Sequence, residues 1–156
     1  MRKTEAYELN LNLDSKIIQF TFVSVGNKGM IQKVIEFRRL QNNRWNLSFG
    51  DVKGDDWADN VVSDNGDLRK VLQTIANAIH LFFDHYPEDE IFIAPLDKQR
   101  KLLYNRIFQQ NWQEIEPVFT VKSIVLMENN IFVEDYTPAK IADYFVVRRK
   151  TPNFEY

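Results

Sequence analysis

Ile17-Ile18-Gln19-Phe20-Thr21-Phe22-Val23-Ser24-Val25-Gly26-Asn27-Lys28-Gly29 reads as a strand running into a turn. Most of residues 17–25 are β-branched or aromatic, and Ile18, Phe20 and Phe22 fall on one side of an extended chain. Gly26-Asn27-Lys28-Gly29 supplies residues that tolerate positive φ. Residues 30–40 resume the pattern with Ile31, Ile35 and Phe37 on one face, so the two runs predict a β-hairpin. A third strand is expected at 45–50, where Trp45, Leu47 and Phe49 alternate with Asn46 and Ser48.

Downstream, Leu68, Val71, Leu72, Ile75, Ile79, Phe82 and Phe83 recur at helical spacing, preceded by a turn and N-cap signal at Ser63-Asp64-Asn65-Gly66-Asp67. Ile91-Phe92-Ile93-Ala94 reads as a short strand. Asp97 is the expected N-cap of a second helix, with Leu103, Ile107, Trp112 and Ile115 toward the core. Strands at about 118–127, 131–134 and 144–149 complete the map. The predicted class is α+β: a mainly antiparallel, curved sheet of about five to six strands, with two helices packed on one face.

The chain has 156 residues, which suits a single domain, with an ordered core over about 17–150 and a frayed C-terminal tail. It contains no cysteine, which excludes a disulfide scaffold, thiol catalysis and cysteine-bound metal, and suits the reducing cytoplasm. The basic N-terminus is not followed by an apolar stretch, so no signal peptide is expected. No apolar run approaches the roughly 20 residues of a membrane helix, and no membrane partner is expected. The net charge of −2 conceals opposed clusters: Asp51, Asp55, Asp56, Asp59, Asp64 and Asp67 on one side, Lys28, Lys33, Arg38, Arg39 and Arg44 and then Lys98, Arg100, Lys101 and Arg106 on the other.

Clustered carboxylates are the ligands of hard divalent cations. The aspartates here lack an EF-hand spacing and read as a solvated loop and helix cap, so no metal and no cofactor is expected. Asp51 and Asp67 each follow a glycine, Gly50 and Gly66, and are expected to cap local N–H groups. His80 falls opposite the apolar stripe of the first helix and is expected to be exposed; His85 lies at that helix's C-terminal end. Lys98, Arg100 and Tyr104 sit at the start of the second helix, where a helix N-terminus favours an anion, although Asp97 competes for the same N–H groups. Phe20, Phe22, Phe37, Trp45 and Phe49 interleave with basic residues as in a base-stacking platform, yet their alternation reads as a buried face.

Five blocks carry a family resemblance. They are Ser24, Gly26, Lys28, Gly29, Ile31, Lys33, Val34 and Phe37; Asn46-Leu47-Ser48-Phe49-Gly50-Asp51; Ser63-Asp64-Asn65-Gly66-Asp67 with Lys70-Val71-Leu72; Pro95 to Tyr104; and Phe145, Val147, Arg149 and Lys150. Over residues 18–150 the chain resembles an uncharacterised family of small bacterial, Bacteroidetes-type proteins, a domain of unknown function. In the fourth block Pro95-Leu96-Asp97 stands where the family pattern has Gly-Ser-Thr. The resemblance implies no activity.

The functional expectation is a non-enzymatic binding or regulatory module for a protein or nucleic-acid partner, or for another anionic ligand. Its binding residues would come from Lys98, Arg100, Tyr104, Lys28, Lys33, Asp51 and Asp67. The alternative is a hydrolase or transferase using the loop carboxylates with Arg100, which requires a pocket joining them.

Overall fold

The hairpin is there, and its turn closes where the glycines predict. A computed structural model describes residues 6–13, 16–53, 56–58 and 65–151, with 53 and 56–58 described by backbone alone. The expectations for Asp55, Asp59, Ser63, Asp64, the side chain of Asp56 and the tail beyond Thr151 lie outside the described residues. The chain divides into two compact units, Met1–Pro87 and Glu88–Tyr156.

The first unit contains β1 (Asn10–Leu13), β2 (Ile17–Gly26), β3 (Gly29–Gln41), β4 (Arg44–Lys53), β5 (Asp56–Ala58) and α1 (Leu68–His85). Its strands pair antiparallel in chain order, each with the next. Gly26 faces Gly29 across the hairpin, and Gly29 adopts φ +86°, a conformation open to glycine without strain. Ile18, Phe20, Phe22, Ile35, Phe37 and Trp45 are buried on one face of this sheet. Phe82 of α1 stacks on Phe37 at 4.7 Å and meets Trp45 edge-on at 5.3 Å. The interleaved aromatics of the hairpin are therefore core rather than a stacking platform.

The second unit contains β6 (Glu90–Ile93), α2 (Lys98–Gln110), α3 (Trp112–Ile115), β7 (Phe119–Met127), β8 (Asn130–Asp135) and β9 (Tyr144–Arg149). Spatially the order is β6-β9-β7-β8, again antiparallel throughout. Phe108 of α2 stacks on Phe145 of β9 at 4.3 Å, and Trp112 and Tyr136 extend that cluster. Asp97 caps α2 as expected, its carboxylate accepting from the Arg100 N–H at 2.7 Å. Among the described residues no helix is long and apolar enough to cross a membrane.

The mixed, mostly antiparallel α/β class holds, but the described residues form nine strands and three helices rather than five or six and two. The expected loop after Gly50 is shorter, because Asp51–Lys53 extend β4 and Asp56–Ala58 pair back onto it. β1 alternates Asn10-Leu11-Asn12-Leu13, but it is only four residues long and exposed on both faces, so it is not among the expected strands. The second helix breaks at Asn111, whose side chain donates back to the Ile107 carbonyl. The core stripe of α1 is also shifted: Val71, Thr74, Ala78, Phe82 and Phe83 are buried, while Leu68 is exposed. Small residues at 74 and 78 allow close approach, and that moves the contact line off the larger aliphatics.

Candidate functional site

Lys33 and Asp51 face each other directly across β3 and β4. Their side chains are 2 % and 3 % exposed, and the Lys33 Nζ to Asp51 Oδ1 distance is 2.6 Å. The ammonium also lies 5.4 Å from the centre of the Phe49 ring, which is stacked with Phe22. Charges so deeply buried are tolerated only in close pairs with good hydrogen-bond geometry.

The pair adjoins a polar network that ties the hairpin turn to the start of α1. Asp67 occupies the N-cap position of α1, but its carboxylate makes no cap hydrogen bond. Its Oδ2 instead accepts from the Ser24 and Tyr7 hydroxyls, each at 2.5 Å. Burial pushes the Asp67 carboxyl up, but the Ser24 and Tyr7 bonds and the nearby Lys33 charge outweigh it and hold the group below the usual carboxylate range. Burial raises Tyr7 above its ordinary value, reinforced by the bond to the Asp67 anion. The capping of the α1 N-terminus expected of Asp67 is thus replaced by bonding to Ser24 and Tyr7.

Asn65 holds the turn itself. Its side-chain amide donates to the Gly29 carbonyl at 2.9 Å and to Ser24 Oγ at 3.1 Å, and its Oδ1 accepts from the Lys28 N–H at 2.5 Å. Its backbone carbonyl accepts from the Asn27 N–H at 2.9 Å. The approach is so close that a Cβ on Gly26 would lie 1.9 Å from the Asn65 carbonyl oxygen. Gly66 adopts φ +77°, and a Cβ there would meet the Asn27 side chain at 2.6 Å. Turn and pre-helix loop are thus keyed to each other by two glycines and one amide.

Ser24, Gly26, Lys28, Gly29, Lys33, Asp51, Asn65, Gly66 and Asp67, drawn from three of the five blocks quoted for the resemblance, converge on this junction. A family model matches residues 3–150. The chain belongs to DUF6934, a family of unknown function. No curated protein and no solved structure matches it.

The remaining candidates of this DUF6934 member lie elsewhere. In the first unit Lys28 is exposed on the turn, and an open groove of about 530 Å³ is lined by Tyr7, Leu9, Asn77, His80 and Leu81. Asp51 and Asp67 are not among its lining residues. His80 is exposed, as its position opposite the apolar stripe predicts.

In the second unit Lys98 is exposed, Tyr104 half-buried and Arg100 buried. Arg100 donates from Nη1 to Asp97 Oδ2 at 2.7 Å, while its buried Nε has no hydrogen-bond partner among the described residues. Lys101 pairs with Asp143, which also accepts from the Leu126 N–H at 2.7 Å. Burial raises the Asp143 carboxyl, and these two partners more than reverse that, leaving it below its ordinary value. Asn105, buried on α2, binds both the N–H and the carbonyl of Ala142, at 2.8 and 2.9 Å. Sequence reasoning missed Asn105; its only signal is an amide, a poor helix former, in the middle of a helix.

The β7–β8 hairpin presents another kind of surface. Leu126, Met127, Ile131, Phe132 and Val133 are 47 to 69 % exposed and adjacent in register. Lys122–Asp135 and Lys140–Glu134 ion pairs lie at the end of the hairpin away from its turn.

Proposed function

We propose that this protein is a non-enzymatic binding module whose partner is a protein, docked through the β7–β8 hairpin. The observation that carries the reading is the concentration of exposed apolar side chains on this one hairpin, Leu126, Ile131 and Val133 on one face and Met127 and Phe132 on the other. Contiguous exposed apolar surface on a folded chain marks interaction sites, whereas scattered exposed aliphatics do not. Two further features support it. Lys33, Asp51 and Asp67, candidates for chemistry, are engaged with each other's neighbourhood as fold-holding groups. Arg38 is exposed but held against the Glu36 carboxylate at 3.5 Å, and Lys28 stands exposed on the turn, which suits no strong polyanion grip. We place the protein in the cytoplasm, which its cysteine-free composition suits. We also take the chain as one folding domain, a reading supported by the single family model that runs unbroken over residues 3–150.

Site-specific photocrosslinking tests the docking surface. A photoreactive residue at position 131 in the full-length protein, expressed in its own cell, is expected to yield protein adducts. The same group at exposed Arg106 is expected to yield none. Equal, background-level yields at both positions would overturn the reading.

A second reading concerns the start of α2, and one observation favours it: the buried, unpartnered Nε of Arg100. An anionic group reaching it would draw on Lys98 for charge and Tyr104 for a hydroxyl. Asp97 already takes the Arg100 N–H and Nη1, so the anion must displace a carboxylate. Salt-dependent retention on heparin that is lost in Arg100→Ala would support this reading, and unchanged retention would end it.

A further inference from the structure

We propose that the protein docked on this hairpin is a second copy of the same chain, paired edge to edge and antiparallel through β8 about a twofold axis at Phe132. The inference rests on the docking surface proposed above and names its occupant.

β8 ends its sheet: β7 is its one strand neighbour among the described residues. Its outer edge therefore carries backbone N–H and C=O groups that no described strand satisfies. Folded proteins normally blunt such an edge with lysine, proline or a bulge. Asn130-Ile131-Phe132-Val133-Glu134-Asp135 contains neither residue type, confines its two charges, Glu134 and Asp135, to the end away from the turn, and pairs with β7 without a register shift. Three consecutive apolar side chains on it are exposed, so both faces of the strand are apolar. This combination is what strand addition uses.

The ladder geometry limits the pairing. Met127 and Asn130 close the hairpin around Glu128 and Asn129, and the closing pair of a two-residue turn exchanges its backbone hydrogen bonds. Hydrogen-bonded and non-bonded pairs then alternate. Residues 130, 132 and 134 direct their backbone groups toward β7, while Ile131, Val133 and Asp135 direct theirs outward. A partner strand must bond to those outward groups, so the twofold axis has to fall on a residue, not between two.

Side-chain chemistry then selects among the residues. An axis at Val133 sets Ile131 against Asp135 and Phe132 against Glu134, apolar against acid. An axis at Ile131 sets Phe132 against Asn130. An axis at Phe132 sets Ile131 against Val133, Phe132 against its own copy, and Asn130 against Glu134, whose carboxylate can accept from the amide. No like charges oppose one another in that register. Glu134 and Asp135 are also neutralised within their own chain by Lys140 and Lys122. A twofold contact of this type closes on itself, so it gives a dimer and not a fibre. The exposed apolar side chains, divided between the two faces, cover on the order of 500 Å² per copy at most. That falls below the roughly 800 Å² per partner of standard stable interfaces, so the dimer is reversible and concentration-dependent.

The absence of native cysteine makes the test clean. Cα atoms of a non-hydrogen-bonded antiparallel pair lie about 4.5 Å apart, within the span a disulfide bridges. Full-length Phe132→Cys is expected to oxidise to a covalent dimer much faster than Arg106→Cys. Sedimentation of the unmodified chain is expected to show a monomer–dimer equilibrium that Phe132→Lys shifts to monomer with its unfolding transition intact. A chain monomeric at every concentration, with Phe132→Cys no faster than Arg106→Cys, would overturn the dimer. Faster crosslinking by Val133→Cys than by Phe132→Cys would overturn the register. If the dimer fails but position 131 still captures another protein in the cell, the docking surface stands with a different occupant. If position 131 captures nothing, both proposals fall.

Discussion

Gly26 and Asn65 show how narrowly single residues fix the junction between hairpin and helix. A methyl group on Gly26 would overlap the Asn65 carbonyl at 1.9 Å, and that neighbour is backbone. Gly26→Ala is therefore expected to destabilise by about 2 kcal/mol or more, at the large end of single substitutions, read as a lowered denaturation midpoint. Asn65→Ala would leave the buried Ser24 hydroxyl and the turn groups short of partners. A buried group left unsatisfied costs about 1–3 kcal/mol, whereas the exposed Lys28 and Gly29 groups can turn to water. For the buried pair, Lys33→Ala is expected to cost about 3–5 kcal/mol by stranding the Asp51 charge. The pH dependence follows from Asp67. Its folded pKa lies below the ordinary value, so it contributes stability above the unfolded pKa, and that contribution is lost as pH falls through the folded one. Asp67→Asn should flatten the acid limb of a stability profile below about pH 4, the range in which an ordinary carboxylate titrates, while leaving its shape near neutrality. A profile unchanged in the acid limb would contradict the assignment.

Elements were more legible in the sequence than their contacts. Period-two alternation located β2, β3 and β4, and β7 to β9 follow from short β-branched runs. β5 escaped because three residues carry no readable period; β1 alternates asparagine with leucine, but over four residues rich in a poor strand former. The helix stripe was displaced for a different reason. Periodicity weighs large aliphatics, whereas α1 packs where Thr74 and Ala78 let the backbone approach. Overpacking tests this directly: Ala78→Leu is expected to cost about 1–3 kcal/mol, while Leu68→Ala, at an exposed position, should stay within about 0.5 kcal/mol of the parent. Of the site, Lys33, Asp51 and Asp67 were visible as residue types, but not as partners. They lie far apart in the chain, and only strand register sets Lys33 opposite Asp51. Asn65 and Asn105 were invisible as clamps, since a buried amide carries no sequence pattern of its own.

At the scale of the whole molecule, opposite charges are paired as well as clustered. Lys33, Arg100, Lys101, Lys122, Lys140 and Arg148 each sit against a carboxylate. Near its turn the β7–β8 hairpin exposes Leu126, Met127, Ile131, Phe132 and Val133. Taken as one folding domain, the chain is expected to unfold in a single transition, with far-ultraviolet circular dichroism and tryptophan fluorescence coincident. Two separated transitions would show two independently folding parts.

The central claim is a division of labour: the buried polar junction holds the fold, and the apolar hairpin makes the contact. The Lys33→Met/Asp51→Leu double variant removes both charges while keeping apolar volume, a change that is often neutral or stabilising. Its most direct measurement is the adduct yield from a photoreactive group at position 131 in that background. The account predicts a yield equal to that of the native pair, with a cooperative unfolding transition retained. A folded double variant that no longer forms the adduct would contradict it, by showing that the Lys33–Asp51 pair acts in binding and not in folding alone.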